Sequence, residues 1–362
     1  MPLDIQVVYR VRSDRRMIAE RARAIAVEQS VEMPPQAIDD PYVNSEIVGR
    51  VLDISEAGDG LFQVRIALST ATVGGDAGQL LNMLFGNTSI HDDVMLYDVE
   101  LPAEFVRAFA GPRHGIETLR RRVGAPARAL TCSALKPQGL PAHALAALAL
   151  DFARGGIDYV KDDHGLADQG YSPFAARIEA TTSALRRHGS LTRYVPSLCG
   201  DLDNMRAQIA LARNGGIDTV MVAPMIMGFS NFHRLVREHP NVAFLAHPSL
   251  AGARIAPPLL LGKLFRMLGA DAIIFPNYGG RFGYSPETCR ALARAAQASW
   301  HRLRASVPVP AGGMSTDRVH EMLEFYGTDI MLLIGGGLLS ARERLTQETR
   351  AFVDAVKSYR YG

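Results

Sequence analysis

Cysteine is scarce. The three residues, Cys132, Cys199 and Cys289, are odd in number and lack paired metal-ligand spacing, so neither a disulfide framework nor a zinc site is expected and they read as reduced core thiols. Charge of one sign is lacking too. Lys and Arg total 39 against 37 Asp and Glu, a net charge of +2, which is too balanced for the electrostatic footprint of a nucleic-acid binder and leaves a small molecule as the expected partner. No apolar run reaches about 18 residues, and the start MPLDIQVVYRVRSDRR has no apolar secretory core, so no membrane span is expected and the protein is placed in the cytoplasm. What is present is ordinary globular composition, 48% hydrophobic and 21% charged over 362 residues. That length suits a barrel of roughly 250 residues with a smaller domain of about 100.

The order of segments supports this division. LDIQVVYRV, DRRMIAERARAIAVEQ, EIVGRVLDI, GLFQVRIALS, GDAGQLLNMLF and VMLYDVELP alternate as β-α-β-β-α-β, with AGDG between the two middle strands, which predicts a ferredoxin-like α+β domain over residues 1–115. From Leu130 onward, eight short apolar strands alternate with amphipathic helices. They are LTCSALK, IDYVKDD, TRYVPSL, DTVMVAPM, VAFLAHPS, DAIIFPN, VPVPAGG and DIMLLIGGG, and they predict a (β/α)8 barrel over 125–362. In such barrels chemistry gathers at the C-terminal strand ends. Polar residues at those ends are Lys136, Gln138, Lys161 to His164, Ser197, His247, Asn277 with Arg281, and the glycines after the last two strands.

Strand periodicity puts Lys161 and Asp163 on one face and Asp162 on the other. Taken alone, Lys161-Asp162-Asp163 is accounted for by a strand-end ion pair. In a barrel mouth, however, a lysine beside an aspartate builds an oxygen site for a hard cation only if the lysine loses its charge. Gly312, Gly313, Gly335 and Gly336 serve either as plain tight turns or as backbone N–H donors to a phosphate. Lys136 is open to a snorkelling role, and His247 to that of a core histidine held by a backbone carbonyl. His233, His239, His301 and His320 are expected at the surface.

GGIDYVKDDHG resembles the GG-x-D-F-x-KDDE stretch of the RuBisCO large chain, and further segments match in order along almost the whole chain. The resemblance implies that Lys161 takes up CO2 as a carbamate and binds Mg2+ with Asp163, with His164 standing where the family has glutamate. Imidazole suits later transition metals, so either another divalent metal or a His164 outside the coordination sphere remains open. ALKPQGL resembles TIKPKLGL and implies that Lys136 handles the enolisation proton. FLAHPSLAG resembles the H-R-A-x-H strand end and implies a base-assisting role for His247. VPAGGM and LLIGGGLL resemble the two phosphate loops, and Arg281 and Asn277 are grouped with them as substrate-binding. AIAVEQSVEMP and LLNMLFGNTS resemble the segments that carry a glutamate and an asparagine across a subunit interface, implying Glu28 and Asn87 as residues offered by a partner in a homodimer or larger assembly.

Departures at Gln138, His164, Pro248 and the Phe275 to Arg281 loop remove family residues needed for carboxylation, so the resemblance is to the RuBisCO-like, form IV proteins. It implies a metal-dependent enzyme that makes an enolate of a phosphorylated keto sugar or keto acid. The expected reaction is decarboxylation or C–C cleavage of a 3-oxo-isoapionate 4-phosphate-like substrate, with Arg281 and Arg254 supplying charge for a carboxylate. The alternatives are an enolase or isomerase of methionine salvage acting on a methylthio-phosphosugar, a non-catalytic phosphosugar binder, and a Schiff-base aldolase.

Overall fold

The structure is a computed structural model that describes residues 4–360; Leu3, placed in the first strand by its pattern, lies outside them. Strands β1 (Asp4–Arg12), β2 (Arg50–Glu56), β3 (Leu61–Ser69) and β4 (Val94–Glu100), with helices α1 (Ile18–Glu28) and α2 (Ala77–Phe85), follow the expected β-α-β-β-α-β order. They form a sheet in the order β2-β3-β1-β4 with every pairing antiparallel. Alternation explains why β1 is central: Ile5, Val7, Tyr9 and Val11 are fully buried on one face. The Tyr9 hydroxyl donates to Leu84 O at 2.6 Å and ties the strand to α2. That helix begins where the Asp76 carboxylate accepts from the Gln79 N–H at 2.7 Å, satisfying one of the first-turn amides that have no helical partner.

Eight parallel strands follow: β5 (Leu130–Leu135), β6 (Tyr159–Asp162), β7 (Arg193–Val195), β8 (Thr219–Val222), β9 (Ala243–Ala246), β10 (Ala272–Pro276), β11 (Val307–Ala311) and β12 (Met331–Leu333). Their order, β7-β6-β5-β12-β11-β10-β9-β8, runs around a barrel. The seam between β7 and β8 is closed by the Met221 N–H donating to Pro196 O at 2.8 Å and the Leu198 N–H to Met221 O at 2.9 Å. Inside, Cys132, Tyr159, Val195, Met221, Leu245 and Val309 pack as one apolar cluster, the layered filling that makes such a barrel a core rather than a pore. The helix Gly115–Arg122 closes the floor, where the Tyr159 hydroxyl donates to Leu119 O at 2.9 Å. No helix among the described residues is long and apolar enough to cross a membrane.

Strand parity separates the two aspartates of the charged triplet. Asp162 points outward and is fully buried against the helix Phe174–His188. There its carboxylate accepts from Arg177 Nε at 3.1 Å, Tyr194 OH at 2.7 Å and the Ser197 N–H at 3.1 Å. The same guanidinium donates to Ser172 O and Ala167 O, holding the loop that follows Asp163 and His164. Replacing Arg177 by alanine leaves a buried carboxylate without its cation and is expected to cost about 3–5 kcal/mol of unfolding free energy, measured by urea denaturation. A loss below about 1 kcal/mol would show that the pair does not secure this loop.

His233 departs from its surface expectation. It is buried, its ring centroid 5.1 Å from that of Phe109, and Nε2 has no partner. The helix Phe229–Glu238 turns this face toward the chain that joins the small sheet to the barrel, a contact with no local sequence signal.

Candidate active site

A cavity of about 860 Å³ opens at the C-terminal ends of the barrel strands. Lys136 enters it from the end of β5, Lys161, Asp163 and His164 from β6, and His247 from β9. Arg281 comes from the loop after β10, and Gly312, Gly313, Gly335 and Gly336 from those after β11 and β12. Parity decides who arrives: Tyr159, in the apolar filling, and Lys161 and Asp163, at the mouth, share the inner face of β6.

Asp163 is the hub. Its carboxylate meets the Lys136 ammonium and accepts from the Gly165 N–H at 3.0 Å and from Gln138 Nε2 at 3.3 Å. His164 Nδ1 lies 3.2 Å from the same carboxylate. The His164 ring stacks on His247 with centroids 4.5 Å apart and planes 8° from parallel. His247 Nδ1 is fixed by Ser249 Oγ at 2.8 Å, which sets the ring plane and leaves Nε2 as its remaining nitrogen.

Burial lowers the proton affinity of both lysines and both histidines at this mouth. Burial pushes the Lys161 amine down to about 8, and its Nζ donates to the Asp162 peptide oxygen at 2.8 Å with no carboxylate as ion-pair partner among the described residues. Burial, and after it the Arg281 charge, lowers Lys136. Burial, with Lys161 nearby, pushes His247 down to about 2 and holds His164 below its usual range.

Among the described residues no three His, Cys, Asp or Glu side chains converge as an ion site. The donor set therefore closes only if Lys161 itself becomes an anion beside Asp163. Burial that lowers the Lys161 proton affinity favours the free amine that can attack CO2, and the carbamate so formed, with one proton released, would bring two oxygen donors.

Three sequence expectations meet different surroundings. Asn277 is turned away from the cavity: its Nδ2 lies 3.2 Å from Met314 Sδ and 3.3 Å from Met322 Sδ, and its Oδ1 accepts from Tyr326 OH at 2.5 Å. Ile274 faces the barrel interior, so Asn277, an odd number of residues later, faces the wall. It packs within the wall here and does not line the cavity. Glu28 and Asn87 are joined, Asn87 Nδ2 donating to Glu28 Oε1 at 2.8 Å, and neither lines the cavity of its own chain. Arg254 donates to Ser89 O at 2.7 Å, docking the loop after β9 on the small sheet, and is also absent from the cavity wall.

Gly313 has two reasons to be glycine. Its φ is +64°, and a Cβ there would lie 2.6 Å from Gly280 Cα, so this turn is required by packing between the β10 and β11 loops as well as by any anion. Gly335 and Gly336 have open space around the position of a Cβ, which leaves their backbone accessible from the cavity. Sequence reasoning passed over Ser249, Leu250 and Phe282, which also line it. One signal was available for the site as a whole: the chain has four lysines, Lys136, Lys161, Lys263 and Lys357, and two of them meet at this mouth.

Comparison with known proteins agrees with this arrangement. Residues 115–343 match the model of the ribulose bisphosphate carboxylase large chain, catalytic domain. The chain is 59% identical, over 97% of its length and 96% of the relative, to a 5-methylthioribulose-1-phosphate isomerase of Rhodospirillum rubrum. It is 33% identical, over 76% of its length and 70% of the relative, to a 2,3-diketo-5-methylthiopentyl-1-phosphate enolase of Geobacillus thermodenitrificans. The crystal structure of a Rubisco-like protein from Rhodopseudomonas palustris superposes with a TM-score of 0.92 at 51% identity, covering 99% of both chains. With its fold, its cavity and its relatives in agreement, the chain belongs to the RuBisCO large-chain family, in the non-carboxylating RuBisCO-like branch.

Proposed function

We propose that this enzyme isomerises 5-methylthioribulose 1-phosphate or a close methylthio-ketose phosphate through an enediolate. The observation that carries this reading is the 59% identity, over nearly the whole of both chains, to a relative named for that activity, against 33% for the enolase. It replaces the decarboxylation expected from sequence. Of the two arginines invoked there for a carboxylate, Arg254 is committed to Ser89 O, and only Arg281 faces the cavity.

The residues present suit proton transfer. Lys136, its proton affinity lowered by burial, acts in its amine form and takes a proton from the hydroxyl-bearing carbon next to the ketone. The C–H pair becomes the C=C bond of the enediolate while the carbonyl pair moves onto oxygen. The proton then returns to the former ketone carbon as the hydroxyl proton passes between the two oxygens, so that ketone and hydroxyl exchange places and no atom is gained or lost. His247, kept neutral and oriented by Ser249, faces the developing oxyanion as a hydrogen-bonding group. The open backbone at Gly335 and Gly336 receives the phosphate, and Arg281 faces the oxygens along the sugar. Lys161 as carbamate and Asp163 would hold a divalent cation, Mg2+ being the hard ion that such oxygens favour, with His164 beside them. Bound there, the cation supplies charge stabilisation to the enediolate. A second copy of the chain completes the reading, offering half-buried Glu28 and exposed Asn87 to the neighbouring mouth.

The test is to incubate the protein with 5-methylthioribulose 1-phosphate, Mg2+ and bicarbonate in D2O and follow the sugar by NMR. Formation of an isomeric ketose phosphate carrying deuterium is expected. Inertness toward this sugar, with CO2 released from a phosphorylated 3-oxo acid, would restore the cleavage reading.

A further inference from the structure

Two large apolar side chains stand in solvent at the edge of the cavity. Leu250, in the loop after β9, is 67% exposed, and Phe282, in the loop after β10, is 59% exposed. Both line the cavity that holds Lys161 and Asp163. Neither contributes much to the core, and apolar surface left at the rim of a functional cleft marks a place where something apolar is received.

The backbone adds a second observation. Leu250 has φ +62°, a left-handed conformation that a branched side chain rarely takes and that tends to persist where the surroundings impose it for function. What imposes it is visible: the Ala251 N–H donates to Pro248 O at 3.0 Å, and further along the loop Arg254 and Ile255 dock on Ser89 and β4. Phe282 is held differently, between Gly279 at φ +74° and Gly283 at φ +69°, with the Arg281 guanidinium carbon 4.8 Å from its ring centroid. The loops after β9 and β10 thus each put one apolar side chain at the rim, beside Ser249 and Arg281. The neighbouring loops after β11 and β12 present glycine backbone suited to an anion.

We propose that Leu250 and Phe282 are the specificity-determining residues for the substituent at the end of the substrate remote from its phosphate, and that they select an apolar thioether over hydrogen or hydroxyl. This rests on the methylthio-ketose reading above. A ketose phosphate of this kind is polar at one end and along its middle and apolar at its last two atoms, and the cavity has the same division.

The experiment measures binding by calorimetry with Mg2+ and bicarbonate present. It uses two phosphates that cannot turn over, 5-methylthioribitol 1-phosphate and 5-deoxyribitol 1-phosphate. Wild-type protein is expected to bind the thioether at least about tenfold tighter, the worth of one or two apolar groups in a fitted pocket. Phe282→Ala and Leu250→Ala should each bring the ratio toward one while leaving the deoxy compound unchanged. Leu250→Gly, which takes a positive φ without strain, should do the same with the loop shape preserved. Equal weakening for both compounds, a wild-type ratio near one, or variants that elute as a different oligomer would overturn the proposal. The two readings fail separately. A retained thioether preference without isomerisation removes the isomerase and keeps the rim, whereas isomerisation without preference removes the rim alone.

Discussion

Replacing Lys161 by methionine is expected to lower turnover by about 10³-fold or more and to abolish its dependence on Mg2+ and bicarbonate. Methionine keeps an unbranched stem of similar length, with sulfur in place of one methylene, and removes the reactive nitrogen, so the loss reports chemistry rather than a cavity. The magnitude follows from the several kcal/mol that a bound cation supplies to a developing oxyanion, each 1.4 kcal/mol being about tenfold in rate. A second effect runs in the opposite direction. In bicarbonate-free buffer the wild-type amine is buried with one hydrogen bond, to a peptide oxygen, and no ion pair among the described residues, and removing that desolvated group should stabilise the fold by about 1–3 kcal/mol. The reading predicts an inactive, more stable variant that lacks the carbamate resonance which 13C-bicarbonate should produce in the wild type. An active variant, or a wild type that yields no such resonance and ignores Mg2+, would remove Lys161 from the chemistry.

Lys136→Ala is expected to reduce kcat by about 10²- to 10⁴-fold, the usual worth of a positioned proton-transfer group, with a smaller effect on KM. Its geometry carries this expectation: the amine stands half-buried at the strand end, in contact with Asp163 and lowered by burial and by Arg281. Exchange of the substrate's α-proton with solvent separates this from a binding role. A base variant loses exchange together with turnover, while a residue that only holds the substrate loses affinity and retains exchange at saturation. Retained exchange in Lys136→Ala would move the base to another group, with His247 and His164 the histidines that line the cavity.

Much of the architecture was legible because it depends on short-range pattern. The alternation in DIQVVYRV and the apolar runs of the barrel strands are local consequences of which faces are buried, and the strands form where those patterns place them. Parity along β6 likewise separated Lys161 and Asp163 from Asp162 before any coordinates. The same rule, applied past the end of β10, shows why Asn277 is not at the mouth. Its polarity suggested a ligand, but its position in the pleat turns it to Tyr326 and two methionine sulfurs. His233 was misjudged for a related reason, since an imidazole on an arginine-rich helix carries no sign of the Phe109 ring that covers it.

The amino-acid sequence by itself determined the order of elements, the barrel, the inward side of β6, and the convergence of Lys136, Lys161, Asp163 and His247 on one end. Those follow from periodicity and from the rule that parallel strands present their C-terminal ends together. Only the tertiary structure decided what each of these groups feels. The stacking of His164 on His247, the burial of Lys161 without an ion-pair partner among the described residues, the diversion of Arg254 to Ser89 and the solvent-facing rim of Leu250 and Phe282 all depend on residues from different strands and loops. Burial and charge at such a site are sums over neighbours distant in the chain, and no local pattern encodes that sum.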